Sequence, residues 1–148
     1  MNEENKNTVR YRKKLNNEIS KRTSFMSDTK WKYLFKKMNT INFGYQILVK
    51  LLIDDKLRDF YIPKQTDFIN RKYLEGFWGT YQLKEIEYIF IPSLRIYKRT
   101  NRNEILKPKI ENQDIDKLKK CLDTGKKIEY DVTEKGVFIY GYEKKVDF

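Results

Sequence analysis

Residues 127–142, KIEYDVTEKGVFIYGY, read as a β-hairpin. Lys127 to Val132 forms one strand, Thr133-Glu134-Lys135-Gly136 the turn, and Val137 to Tyr142 the return. A hairpin joins antiparallel neighbours, so the closing part of the chain belongs to an antiparallel sheet. Working back, Asn112 to Asp114 carries capping residues ahead of Ile115, Leu118, Cys121 and Leu122, which share one helical face, and Gly125 follows where a helix stops. Lys84 to Ile91 alternates strictly before Pro92, placing Ile86, Tyr88 and Phe90 on one side and Glu85, Glu87, Ile89 and Ile91 on the other. Tyr45 to Ile53, entered after Gly44, is apolar and β-branched enough for a largely buried strand. Between them, Lys56 to Asn70 is broken by Pro63 and scattered charges, which predicts a long loop with a short strand around Phe60 to Ile62.

The clearest helix starts at Ser27-Asp28, whose oxygens can accept from free backbone N–H groups. Trp31, Leu34, Phe35 and Met38 follow at i, i+3, i+4 and i+7. Ahead of it, residues 1–24 hold seven basic and three acidic residues, with Tyr11, Leu15 and Ile19 recurring every four positions. That thin stripe predicts a basic N-terminal helix or arm of low intrinsic stability that folds back on the domain. Residues 25–148 then form a single domain. The order of elements shows no βαβ alternation, so the expected class is α+β, a mainly antiparallel sheet with two core helices on one face.

Composition excludes several functions. The 148 residues contain no His, no Ala and one Cys. Imidazole acid–base catalysis, Ser-His-Asp and Cys-His nucleophile systems and imidazole zinc sites are therefore absent. Cys121 alone makes no intramolecular disulfide, and its place on an apolar helix face predicts an inert thiol. Met1 to Thr23 lacks the apolar stretch of a signal peptide and no segment is long enough to span a bilayer, so a cytoplasmic protein that leaves the membrane alone is expected. The net charge of +11 rests on 24 Lys against 8 Arg, alongside 15 Ile and 11 Asn. These residues have AT-rich codons, so part of the basicity follows from genome composition without a polyanion partner.

Asp54, Asp55 and Asp59 lie at a strand end but match no calcium loop, and Asp131 with Glu143-Lys144-Lys145 is a loose echo of a nuclease arrangement. Neither supports a metal site, and no cofactor motif is present. The strongest basic excess runs from Arg95 to Lys109, where six basic residues meet one acid, Glu104. Leu94 to Lys98 is read as a strand, Thr100 to Asn103 as a turn and Glu104 to Lys107 as a short return. Alternation sets Leu94, Ile96 and Lys98 against Arg95, Tyr97 and Arg99. Together with Arg102, and with Arg10, Arg12, Lys13 and Lys14 of the arm, these side chains are the candidate nucleic-acid contacts. An edge strand guarded against aggregation has the same composition. Glu75-Gly76-Phe77-Trp78-Gly79 brackets two aromatics with glycines. Phe77 and Trp78 are candidate protein-binding residues if exposed, and a plug for the sheet if buried.

The succession Thr29-Lys30-Trp31…Leu34, Glu75 to Gly79, Ile86-Glu87-Tyr88-Ile89, Pro92 with Arg95, and Gly136-Val137-Phe138-Ile139-Tyr140-Gly141-Tyr142 resembles an uncharacterised family, a domain of unknown function found in small bacterial proteins. The resemblance spans residues 20 to 142 and implies a bacterial, cytoplasmic, single-domain protein without an established activity. Lys56 to Asn70 departs from the family's pattern, being poor in acids and tryptophans. No catalytic constellation outweighs its structural explanation. The leading expectation is a non-enzymatic interaction protein, of accessory, immunity or host-conflict type, with a neutral or acidic protein partner. The alternative is a nucleic-acid-binding protein, in one version a metal-free ribonuclease, using the Arg95 to Arg102 strand.

Overall fold

Ser27 starts α2 (Asp28–Thr40) by accepting from the Lys30 amide at 3.1 Å, as its position before an aromatic stripe predicts. Trp31, Leu34, Phe35 and Met38 are all buried beneath that helix. Asp114 does the same for α3 (Ile115–Asp123), accepting from the Lys117 amide at 3.0 Å. Leu118, Cys121 and Leu122 are buried along its inner face. Gly125 follows at φ +81°, and a Cβ there would lie 2.0 Å from the Tyr33 hydroxyl, so glycine is required by backbone and by space. The computed structural model describes residues 6–41, 46–69, 73–101 and 104–143, with backbone alone at 96–101 and 104–108.

Among the described residues, the strands are β1 (Ile47–Leu51), β2 (Leu57–Phe60), β3 (Leu74–Gly76), β4 (Gly79–Tyr81), β5 (Ile86–Pro92), β6 (Leu94–Asn101), β7 (Glu104–Asn112), β8 (Tyr130–Thr133) and β9 (Gly136–Tyr140). Five of them make an antiparallel sheet in the order β2-β1-β5-β9-β8, while β3-β4 and β6-β7 are separate two-stranded ladders. The fold is α+β with a mainly antiparallel sheet. α2 and α3 cover one face, where Val49, Ile89, Ile91, Val137 and Ile139 are fully buried with the helix side chains in one cluster. Burying each such side chain stabilises the fold by roughly 1.5–3 kcal/mol. The turn between β8 and β9 requires Gly136, at φ +148°, because a Cβ there would stand 2.2 Å from the Ile91 carbonyl oxygen.

Three local expectations are corrected. The short strand expected at Phe60 to Ile62 lies earlier, at Leu57–Phe60, because its backbone pairs with β1 from Ile47↔Phe60 to Lys50↔Leu57. A 3₁₀ turn at Gln65–Phe68 then occupies part of the supposed loop. The return strand after Asn103 runs on to Asn112, well past Lys107, because pairing with β6 continues to Leu94↔Asn112. At residues 75–79 the chain makes the β3-β4 hairpin, with Phe77 and Trp78 as its two-residue turn.

The N-terminal helix, α1 (Lys6–Ser20), is docked by the predicted stripe. Leu15 is buried against Leu52 and Tyr142, with Ile19 packed beside it. The Tyr11 hydroxyl donates to the buried carboxylate of Glu85, and burial is the main cause that pushes the Tyr11 phenol up, with Glu85 adding to it. Arg22, just past the helix, contacts Glu87 at 2.8 Å and Glu18 at 3.5 Å.

Candidate binding surface

The second face of the five-stranded sheet carries the feature that strict alternation misplaced. Lys50 pairs with Tyr88 but Leu51 pairs with Ile86, so Glu87 is an extra residue in β5. This bulge turns Ile86 to the helix side with Ile89 and Ile91, and corrects the expectation that Ile86 shares a face with Tyr88 and Phe90. Residues directly opposite in an antiparallel ladder share a face. Tyr88 stands opposite Tyr140 and Phe90 opposite Phe138, which places four aromatic rings on the side away from α2 and α3.

The rings touch one another. Phe90 and Phe138 stack with centroids 4.5 Å apart, Tyr88 meets Phe138 edge-on at 5.6 Å, and Tyr140 lies 6.4 Å from both Tyr88 and Phe138. All four are half-buried, and none belongs to the hydrophobic cluster under α2 and α3 or to the one under α1. The Tyr140 hydroxyl donates to Asp131 at 3.0 Å. Burial, then the Asp131 carboxylate, pushes the Tyr140 phenol up to about 12. Burial also raises the Tyr88 phenol, with Glu87 adding to it.

What borders the rings follows from the topology. Tyr142 continues the Tyr140 side of its strand, since a Cβ on the intervening Gly141 would meet Trp31 of α2. Leu15 packs on Tyr142, so α1 walls one end of this face. At the other end, β5 passes through Pro92 into the β6-β7 hairpin. Lys50 and Leu48 complete the face on β1, and Lys50 lies 3.0 Å from Glu87, whose other oxygen contacts Arg22. The two flanks carry exposed acids: Asp59 opposite Leu48 and Asp131 opposite Phe138.

The residues picked out in the sequence fall around this face rather than on it. Arg10, Arg12, Lys13 and Lys14 are exposed on α1. Arg95 is half-buried on β6, opposite Glu111. Tyr97, Lys98 and Arg99 lie on the β6 backbone, their side chains outside the described residues, and Arg102 lies outside them altogether. The register shifts between Tyr97 and Arg99, so simple alternation does not hold across the strand. α1 and the start of the β6-β7 hairpin lie at opposite ends of the sheet. The aromatic quartet between them was missed, although Tyr88/Phe90 and Phe138/Tyr140 are two i, i+2 aromatic pairs in adjacent strands, a signal visible in the sequence.

Phe77 and Trp78 separate. Phe77 is 74 % exposed at the hairpin tip against Tyr61, whereas Trp78 packs on Tyr81 and the core cluster. Asp54 pairs with Arg58 at 2.8 Å, which holds its carboxyl below the ordinary range. Among the described residues no three Cys, Asp or Glu side chains gather to hold a metal ion. Cys121 is buried and burial raises its thiol pKa, with Lys37 opposing. No helix among the described residues is long and apolar enough to cross a membrane.

No curated protein and no solved structure matches this chain. A family of unknown function, DUF6678, matches residues 11–146, which takes in α1 from Tyr11, the five-stranded sheet and its aromatic face, and the chain belongs to that family.

Proposed function

We propose that the protein is a non-enzymatic binding domain that holds single-stranded nucleic acid on the open face of its five-stranded sheet. The observation that supports this reading is the quartet of Tyr88, Phe90, Phe138 and Tyr140, cross-paired on two adjacent interior strands. Aromatic faces stack on any base, at about 1–3 kcal/mol per base. Basic elements flank the quartet at both ends, α1 and the β6-β7 hairpin, while Asp59 and Asp131 flank its sides. A strand lying along β5 and β9 runs between two segments of basic sequence and avoids the lateral acids, whereas one lying across them meets those acids. A bacterial cytoplasm suits the reading, given the single buried cysteine and the resemblance to small bacterial proteins.

Fluorescence anisotropy of labelled RNA and DNA of about 12 nucleotides, across a salt series, tests this. Single strands should bind in preference to duplex, with affinity falling as salt rises. Tyr88→Leu with Phe138→Leu keeps apolar bulk but removes two rings, and should weaken binding more than about tenfold. Phe77→Ala, outside the face, should leave it unchanged. Duplex preference, or full affinity in the double Leu variant, overturns the proposal. Shortened strands on a gel would make the protein a nuclease and overturn its non-enzymatic part.

A further inference from the structure

We infer that the groove between α2 and residues 61–69 docks an acidic, amphipathic segment of a partner protein. The groove lies on the helix side of the sheet, away from the aromatic face, and the inference does not rest on the nucleic-acid reading. Its volume is about 370 Å³, enough for one or two anchoring side chains. Tyr33, Pro63 and Phe68 supply an apolar floor and Ile69, 62 % exposed, forms a lip. The wall is fixed: Asn39 donates to the Pro63 carbonyl at 2.9 Å, and Asp67 accepts from the Lys64 amide at 2.8 Å.

Charge names the occupant. Lys32 and Lys36 line the groove from the exposed side of α2, and no Asp or Glu lines it among the described residues. The Lys32 ammonium stands 5.2 Å from the centre of the Phe68 ring. Lys126 and Lys37 approach the Tyr33 ring at 5.1 and 5.5 Å, adding to the positive field around the floor. A polyanion without apolar groups would leave the floor unused, and a neutral peptide would leave the lysines unanswered. A segment with Leu or Phe anchors beside Asp or Glu satisfies both, the chemistry of an amphipathic helix or turn laid into a groove.

The test is selection of random peptides displayed on phage against the purified full chain, with anisotropy on the enriched sequences. Enrichment of acidic peptides carrying Leu or Phe, weakened at least about tenfold by Lys32→Glu with Lys36→Glu and also weakened by Ile69→Ser, is the expected result. All three positions are solvent-exposed, so the variants should fold, and Tyr88→Leu with Phe138→Leu should bind the peptides normally. No enrichment over a blank surface, enrichment of neutral or basic peptides, or indifference to charge reversal overturns the inference. So does loss of oligonucleotide binding in the Lys32/Lys36 variant, which would assign those lysines to the nucleic-acid site.

Discussion

One face of the five-stranded sheet is aliphatic and closed, the other aromatic and open, and the two alternate residue by residue along the same strands. On β9, Val137 and Ile139 are fully buried under α2 and α3, while Phe138 and Tyr140 between them are half-buried. On β5, Ile89 and Ile91 alternate in the same way with Tyr88 and Phe90. Branched aliphatic side chains fill space against helices without polar atoms to satisfy. Tyrosine suits a wet surface, because its ring gives contact area while its hydroxyl reaches a partner, as Tyr140 reaches Asp131. Four rings on the wet side are the feature on which the proposed binding role rests, since charged or Thr side chains would serve an idle sheet surface equally well.

Truncating adjacent residues on β9 should break the symmetry most visibly. Ile139→Ala leaves a cavity under the helices and should cost about 2–5 kcal/mol in chemical denaturation. Phe138→Ala should cost about 1–2 kcal/mol, chiefly lost ring pairing. Equal losses would show that the aromatic face is a second core and sink the binding reading. Leu15→Ala ranks next, at about 1–3 kcal/mol, because Leu15 is the buried anchor of α1. Amide exchange should accelerate over residues 6–20 while β5 and β9 stay protected; unchanged exchange would mean that the polar contacts of Tyr11 and Arg22 hold the helix by themselves.

The smallest effect expected is at Asp131. Asp131→Asn removes a lateral acid and should tighten single-strand binding about threefold, the scale of one exposed charge. It should also move the Tyr140 phenol, now near 12, back toward 10.0, read as phenolate absorbance. The sign for stability follows from proton counts. Between these values the folded protein holds a proton that the unfolded chain has released, so this contribution is complete below pH 10.0 and is lost as pH rises toward about 12. Unaltered titration in the variant would leave burial as the whole cause.

Much of the architecture was legible. Ser27 and Asp114 cap the two core helices as their positions predict, Gly125 ends α3, and the closing hairpin turns at Thr133 to Gly136. These are local signals, set by backbone geometry within a few residues. The failures share one cause, pairing between distant residues. Glu87 bulges because of its register with β1, and β2 lies at Leu57–Phe60 because β1 is there to pair with it. The candidate site follows the same rule: the basic excess at Arg95 to Arg102 and in the arm is local in sequence, while the rings between them form a surface only through the pairing of β5 with β9.

Composition and periodicity by themselves determined that this chain is an α+β domain without imidazole chemistry, basic, with aliphatic stripes that need covering. Helix caps, turns and apolar periods are written over a few residues, so they can be read without knowing what lies opposite. Which side of the sheet α1 walls, which tyrosines stay wet and where lysines gather around an apolar floor depend on register and on docking between segments tens of residues apart. Tertiary structure alone decided those, because a one-residue shift in pairing moves every following side chain to the other face.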